Sequence, residues 1–214
     1  RPFLGEFWAA LYAEDASTAQ NCVWKSQLLT SLMWLLCFLE WNGQGPLVRT
    51  FTLGAHLNLG EQMGIIADAS PFGMGAILCV GGVPHEYFGI ELTDWDEWVL
   101  STPRWTSVGQ QVWESLVQLI ALRHWAHRWA GRRVVLTIQG DNMTALAMVA
   151  NLKSKGPALA MIARELALDF AAATYAPDII QHTPGIMNSS SDALSRRFEP
   201  GKNYVIPHIL RSCT

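Results

Sequence analysis

The sequence has little charge for its length. Only 15% of its 214 residues are charged, whereas 50% are hydrophobic and ten are tryptophan. This composition supplies enough apolar material for one large domain, with or without an appended subdomain. The low charge predicts that part of the surface is buried against the rest of a longer polypeptide. The start at Arg1, without a methionine or a signal-like segment, favours the same expectation.

Cysteines are few and show no pattern. Cys22, Cys37, Cys79 and Cys213 lack the paired spacing of a zinc site or a disulfide framework. We therefore predict buried thiols in a reducing compartment, which is an intracellular location in the cytoplasm or the nucleus.

The sequence also lacks an apolar run of membrane length. Residues 28–39 are too short to span a bilayer and are interrupted by Thr30 and Ser31, so this run predicts a core helix and no membrane partner. The net charge of -3 neither favours nor excludes nucleic acid, because cations bound to an acidic cluster reverse the sign locally.

Hydrophobic periodicity changes along the chain and predicts an α/β fold. Helical spacing covers residues 2–13 and 23–41, and strand patterns follow from about residue 62. Gly81-Gly82 supplies a hairpin turn between the second and third strands. The first half of the predicted order has three strands, which end at Asp68 and at residues 80 and 92, and then an irregular stretch at 93–105. A helix to residue 129 and a strand at 133–138 follow. Helices at 141–152 and 158–173, a strand at 179–181 and a last short helix complete the order. This order predicts a mixed five-stranded sheet, with three antiparallel strands and then parallel ones, and helices on its faces.

Four acidic residues occupy positions where side chains can converge. Asp68 ends a buried strand, Glu114 lies early in a long helix, Asp141 follows another strand, and Asp192 begins the last helix. Hard divalent cations prefer oxygen ligands, so a cluster of these carboxylates suggests a nuclease centre. Each acid taken alone has a plainer interpretation. Asp141 could cap a helix, Asp192 could be a first-turn charge that the helix dipole favours, and Glu114, off the apolar stripe of its helix, could be solvated.

Two segments carry a resemblance to a known family. Residues 67–78, ADASPFGMGAIL, resemble the first hairpin of the ribonuclease H domains of retrotransposon polyproteins. Residues 182–188, HTPGIMN, and 191–196, SDALSR, resemble the closing motif of the same domains. Trp113-Glu114 and Gly140-Asp141-Asn142 fall between them in the family's order. The first residues, RPFLG, and the two apolar helices resemble the segment that links a reverse transcriptase to its ribonuclease H.

The resemblance implies a domain organisation and a partner in the same polypeptide. Residues 1–58 would form a helical connection that follows a reverse transcriptase domain, 59–198 the ribonuclease H-like domain, and 199–214 a C-terminal tail. The loop at 185–189 lacks the histidine that many ribonucleases H carry there, which bears on the rate of turnover more than on activity itself.

The activity implied is hydrolysis of the RNA strand of an RNA–DNA hybrid by two magnesium ions, with manganese as a possible substitute. We expect Asp68 to bridge the two ions, Glu114 and Asp141 to complete one site, and Asp192 to complete the other. Expected contacts to the nucleic acid are made by residues near the acids and by a basic patch, namely Ser70, Asn142, Thr144, Arg123, Arg128, Arg132 and Arg133. For Trp95, Trp98 and Trp105, packing within the irregular connection is favoured over stacking on nucleic acid.

Two other functions stay open. The chain could be a degenerate copy that serves as a spacer or a hybrid-binding module. It could also be a transposase or integrase, which usually takes its glutamate from a late helix. The glutamate available there, Glu165, leaves Asp192 without a role, so the early Glu114 favours ribonuclease H.

Overall fold

The computed structural model describes residues 2–12, 22–41, 57, 59–130, 132, 134–172, 177–183 and 188–213. The chain divides into two compact units, Arg1–Arg49 and Thr50–Thr214. No helix among these residues is long and apolar enough to cross a membrane. The arginine predicted at position 133 to contact nucleic acid lies outside the described residues.

The first unit contains two helices, α1 (Gly5–Tyr12) and α2 (Lys25–Trp41). A carboxylate oxygen of Glu6 accepts hydrogen bonds from the backbone N–H of Ser31 at 3.1 Å and from its hydroxyl at 2.6 Å, which ties the helices together. The predicted helix at 28–39 is confirmed as part of α2, but only one side of it is covered. Leu28, Trp34, Leu35 and Phe38 are half-buried, whereas Leu29, Leu32, Met33, Leu36 and Leu39 are exposed. The prediction of buried thiols fails for Cys22 and Cys37, which are exposed, and holds for Cys79.

The second unit is built on a five-stranded sheet with the order β3-β2-β1-β4-β5. Its strands are β1 (Glu61–Ala69), β2 (Gly73–Val80), β3 (Val83–Glu91), β4 (Val134–Gly140) and β5 (Pro177–His182). β1 pairs antiparallel with β2 and parallel with β4, and β5 runs parallel to β4. The predicted α/β class and mixed sheet are confirmed. Gly81 and Gly82 form the predicted hairpin turn with φ angles of 58° and 81°, which favour glycine.

Helices cover both faces of this sheet. They are α3 (Asp94–Leu100), α4 (Gln110–His124), α5 (Ala126–Trp129), α6 (Met143–Asn151), α7 (Pro157–Ala172) and α8 (Ser189–Ser195). The helix predicted to run to residue 129 is interrupted at Trp125, and α3 was not predicted at all. α3 begins with a capping box, in which the Thr93 side chain accepts from the Asp96 backbone while Asp96 accepts from the Thr93 backbone.

Strand alternation gives the sheet two apolar faces. Ile65 and Leu78 belong to the larger core with Trp113, whereas their neighbours Ile66 and Ile77 face a smaller one. The smaller core also contains Leu194 of α8 and residues from the segment predicted as a C-terminal tail, namely Tyr204, Ile206, Leu210 and Cys213. Residues 199–213 therefore pack against the sheet.

Candidate metal centre

Three carboxylates converge at one edge of the sheet. Asp68 lies near the end of β1, Asp141 directly follows β4, and Glu114 comes from α4. One oxygen from each of the three lies within 4.8 Å of the others. β1 and β4 are parallel neighbours in which Ile66 pairs with Gln139, so the register brings the residues two positions further on, Asp68 and Asp141, to the same level.

Glu114 is buried rather than solvated. It is 3% exposed, which corrects the expectation drawn from its position off the apolar stripe of the helix. One turn earlier, Gln110 donates a hydrogen bond of 3.0 Å to Glu114 Oε1 and a second one to the carbonyl of Ala69. These bonds hold the start of α4 against the end of β1, which is why an off-stripe glutamate reaches the carboxylate cluster.

Asp68 is held by two side chains that sequence reasoning did not single out. The Ser195 hydroxyl donates to Asp68 Oδ2 at 2.6 Å, and the Asn188 amide nitrogen lies 3.3 Å from Oδ1. The Ser191 hydroxyl lies within hydrogen-bonding distance of both the backbone and the side-chain oxygen of Asn188, and this contact fixes the amide. The signal was present in the closing motif, because polar residues at positions 188, 191 and 195 recur on one face of a helix.

Burial shifts the protonation equilibria of two of these acids. The pKa of Asp68 is raised to about 7, mainly by burial and also by the charges of Asp141 and Asp192, against the lowering effect of the Ser195 hydrogen bond. Burial likewise raises the pKa of Glu114 to about 9, with added repulsion from Asp68 and Asp141. Without a cation, the cluster therefore holds protons that ordinary surface carboxylates have already lost.

Asp192 takes a different position from the other three acids. Its Oδ1 accepts a hydrogen bond of 2.6 Å from Arg196 Nε, one helical turn later. Its charge also raises the pKa of Asp68. The structure thus groups three of the four predicted metal ligands and pairs the fourth, Asp192, with the side chain of Arg196.

The polar residues expected to contact nucleic acid are largely occupied within the protein. Ser70 is 1% exposed, and its hydroxyl donates to the carbonyl of Ser195 at 2.8 Å, so its side chain is not placed for an external contact. Asn142 caps α6 by accepting from the backbone N–H groups of Thr144 and Ala145. Thr144 itself is exposed at the start of that helix.

The predicted basic patch is also partly neutralised. Arg123 donates to Asp169 at 2.7 Å and pairs with Glu165, and these partners raise its pKa. Arg128 pairs with Glu86, while Arg132 is exposed. Gly75 on β2 serves packing, because a Cβ there would lie 2.7 Å from the backbone nitrogen of Ser195. Glycine at this position therefore lets α8 pack closely against the sheet.

The donor set suits a hard divalent cation. All three clustered side chains offer carboxylate oxygen, which is the ligand type that magnesium and manganese prefer. The raised pKa values of Asp68 and Glu114 mark two carboxyl groups whose ionised form a nearby cation would stabilise. The identity and number of ions do not follow from this geometry.

Comparisons with known proteins gave structural neighbours alone. No family model matches the sequence, and no curated protein matches it. The N-terminal ribonuclease H domain of a Mycobacterium tuberculosis protein, solved as a fusion with maltose-binding protein, is 16% identical, with a TM-score of 0.47 over 64% of this chain and 92% of that chain. Ribonuclease H1 from Halobacterium salinarum is 15% identical, with a TM-score of 0.42 over 63% and 92% of the two chains. The foamy viral protease-reverse transcriptase in complex with an RNA/DNA hybrid is 12% identical, with a TM-score of 0.44 over 84% of this chain and 27% of that chain. At these identities and TM-scores, the neighbours assign neither a family nor an activity to this chain.

Proposed function

We propose that the chain is a metal-dependent endonuclease that hydrolyses the RNA strand of RNA–DNA hybrids. The observation that carries the proposal is the group of three carboxylates, Asp68, Glu114 and Asp141, with oxygens within 4.8 Å of one another at one edge of a mixed sheet. The order of these acids along the chain is the order implied by the resemblance to ribonuclease H domains.

Each acid has a distinct role in the proposal. Asp68 is central, since its two oxygens are oriented by Ser195 and Asn188, and it would bridge two magnesium ions, with manganese as a substitute. Glu114 and Asp141 would hold one ion, and Asp192 would contribute to the other after exchanging its bond to Arg196. Bound divalent cations supply an activated water and charge stabilisation for phosphodiester cleavage. Ser195 and Asn188 orient the oxygens of Asp68. The carboxyl groups must lose their protons before their oxygens can coordinate a cation.

Recognition of the hybrid would depend on the sugar and backbone of the nucleic acid. Discrimination of RNA from DNA follows from 2′-hydroxyl contacts in a wide minor groove, not from base edges. Thr144 is the exposed polar residue nearest in sequence to Asp141 among the expected contacts. Arg132 is exposed, and so is Arg123, but the guanidinium of Arg123 is paired with Glu165 and Asp169. Thr144 and Arg132 are the first choices for such contacts, whereas Ser70 and Asn142 act by supporting α8 and α6.

The biological setting proposed here is reverse transcription of a retrotransposon. The motifs at residues 67–78 and 182–196 support it, together with the opening segment that resembles the link to a reverse transcriptase. We propose a reverse transcriptase domain in the same polypeptide, with the chain divided near residue 58, and an intracellular location.

Two alternatives make different predictions. A spacer or hybrid-binding module would need no acidic cluster, and the retention of three buried or partly buried acids favours an enzyme. A transposase or integrase would use a late glutamate, but Glu165 on α7 pairs with Arg123 on α4. That pairing gives Glu165 a structural role, so it supports ribonuclease H over this alternative.

The deciding experiment is cleavage of a hybrid labelled on its RNA strand. The wild type with magnesium is expected to cut the RNA, and chelation with EDTA or the substitution Asp141→Asn is expected to abolish cutting. Glu61→Gln serves as the matched control, because it neutralises an exposed acid at the other end of the strand that carries Asp68. Hybrid binding without cleavage by the wild type would establish the binding-module alternative, and equal cleavage by Asp141→Asn would remove the assigned site.

A further inference from the structure

Trp105 has a backbone conformation that large side chains rarely adopt. Its φ angle is 62°, in the left-handed region. Among the described residues, two other non-glycine positions have positive φ, and both have an evident cause. Ser101 and Leu152 are the C-caps of α3 and α6, where a left-handed residue ends the helix. Trp105 caps no helix, so its strain has another origin.

Burial does not explain this strain. Trp105 is 48% exposed, although tryptophan is usually found well buried. Its ring meets the ring of Phe72 edge-on, with centroids 5.3 Å apart, and the guanidinium of Arg104 lies 5.5 Å from its centroid. These contacts orient the indole while much of its surface faces outward.

A backbone hydrogen bond joins the same residue to the turn that follows β1. The Trp105 N–H donates to the carbonyl of Pro71 at 3.1 Å, and Pro71 and Phe72 form the turn that begins three residues after Asp68. Gln110, a few residues after Trp105, bonds to Ala69 and to Glu114. Trp105 is therefore placed on the rim of the proposed catalytic edge.

Nearby charges are compatible with a polyanion at this position. Of the three acids of α3, Asp94 and Glu97 both pair with Arg104, which also donates to the carbonyl of Leu92, and Asp96 accepts hydrogen bonds from Thr93. The guanidinium over the Trp105 ring thus neutralises carboxylates that would otherwise repel a phosphate backbone.

We infer that Trp105 is a substrate-contact residue, whose exposed indole packs against a nucleotide of the bound hybrid beside the scissile phosphate. The inference rests on the proposed function, since it places the nucleic acid over the carboxylate edge. Aromatic faces pack on bases and on the apolar faces of sugars without reading sequence. The strained backbone keeps the ring exposed where collapse onto the protein would bury it.

Binding measurements test this inference directly. In the Asp141→Asn background, which prevents cleavage, Trp105→Ala is expected to weaken binding of a fluorescent RNA–DNA hybrid by roughly 5- to 100-fold, the range typical for one aromatic–nucleotide contact. Trp105→Phe is expected to retain most of the affinity. Trp98→Ala is the matched control, because Trp98 is also exposed but lies on α3 and stacks with Trp95. Unchanged affinity in Trp105→Ala, or an equal loss in Trp98→Ala, would overturn the inference.

A second variant separates contact from packing. Trp105→Gly removes the side chain and relieves the positive φ, so its melting temperature is expected to equal or exceed that of the wild type while hybrid binding weakens. A clearly lower melting temperature in this variant would make Trp105 a packing residue and would overturn the inference. Failure of the proposed function looks different, since the wild type itself would then leave the hybrid uncleaved, whatever the Trp105 variants do to binding. Single-stranded RNA and DNA of the same sequence form the remaining arms, and a loss of affinity seen with single strands but not with the hybrid would also contradict the assignment.

Discussion

The hydroxyl of Ser195 donates a 2.6 Å hydrogen bond to Asp68 Oδ2, across 127 positions of the chain. The bond exists because α8 lies directly on β2, where Gly75 pairs with Asp68 in the antiparallel register. A glycine at position 75 leaves room for the backbone of Ser195. The central acid of the candidate metal centre is thus oriented by the last helix of the fold.

Removal of this hydroxyl should weaken metal binding. Ser195→Ala deletes the donor to Asp68 Oδ2, and loss of such a supporting hydrogen bond typically costs about 10- to 100-fold in metal affinity or activity. Calorimetric titration with magnesium and hybrid cleavage would both measure the effect. Ser189→Ala is the control, because it makes the same change at an exposed position of the same helix. Equal affinities for the two variants would remove Ser195 from the site.

Gly75→Ala should displace α8 and damage the same centre. The added methyl would overlap Leu194 and would lie 2.7 Å from the Ser195 nitrogen and 2.8 Å from the Ser191 carbonyl, and backbone atoms cannot move aside as a flexible side chain can. Overpacking of this kind typically costs about 1–3 kcal/mol. Chemical denaturation should detect the loss, and magnesium affinity should fall with it.

Gly64→Ala is the matched substitution on the neighbouring strand. A Cβ at Gly64 meets its nearest atoms at 3.8 and 3.9 Å, which is ordinary contact distance. We expect stability and metal binding close to those of the wild type. If Gly75→Ala behaved like Gly64→Ala, close approach of α8 would not be what positions Ser195.

The sequence predicted those parts of the fold and site that local patterns determine. Apolar runs that end at Asp68 and before Asp141 identified β1 and β4, and Gly81-Gly82 identified the hairpin. Parallel pairing of β1 with β4 then brings both aspartates to one edge. Three of the four expected ligands converge for this reason.

The features that the sequence did not predict depend on side-chain contacts between residues that are far apart in the chain. The contacts of Ser195 and Asn188 with Asp68 follow from the packing of α8, which no local pattern encodes. Arg123 appeared as part of a basic patch, but its partners Glu165 and Asp169 lie on another helix. α3 was not predicted, because its many tryptophans and acids obscure the helical spacing of apolar residues. Its capping box also has Asp96 in place of the usual glutamate or glutamine.

The stability of the metal-free protein should fall as pH rises. The folded pKa values of Asp68 and Glu114 are about 7 and about 9, against ordinary values of 3.8 and 4.5. Between about pH 4 and about pH 9 the folded protein therefore binds more protons than the unfolded chain, so the free energy of unfolding decreases with pH. Thermal unfolding in EDTA across this range measures the effect. Glu114→Gln should flatten the upper part of the curve, and an unchanged curve would show that Glu114 does not titrate there.

The affinity for magnesium, unlike the stability of the metal-free protein, should increase as pH rises. Coordination requires ionised carboxylates, so binding displaces protons from Asp68 and Glu114, and the affinity should rise with pH up to about 9. Calorimetry in buffers of different ionisation enthalpy would count the released protons. Binding with no proton release near neutral pH would contradict the raised pKa values of both acids.

Arg196→Met should tighten metal binding. Arg196 neutralises Asp192 and also lowers the pKa of Asp68, so its removal leaves the carboxylates more attractive to a cation. Because the pair is partly exposed, we expect a change of about two- to fivefold in magnesium affinity. Arg196→Lys should bind as the wild type does. Lys202→Met removes a similar charge from the Lys202–Glu199 pair and should have no effect on metal affinity. Weaker binding in Arg196→Met would instead assign Arg196 a role in holding α8.

The segment after residue 198 should contribute to stability, although it was expected to be a tail. Leu210 is fully buried and packs in the smaller core with Ile77, Cys79 and Leu194. Leu210→Ala should cost about 2–5 kcal/mol in the free energy of unfolding, as typical leucine deletions in cores do. Ile209→Ala is the control at the adjacent position, where the side chain is 53% exposed and the expected cost is about 0.5 kcal/mol or less. Denaturant titration of both variants measures the difference.

Because Leu194 precedes Ser195 in α8, the Leu210 variant should also lose magnesium affinity, and retention of full affinity would show that the smaller core does not support the metal centre.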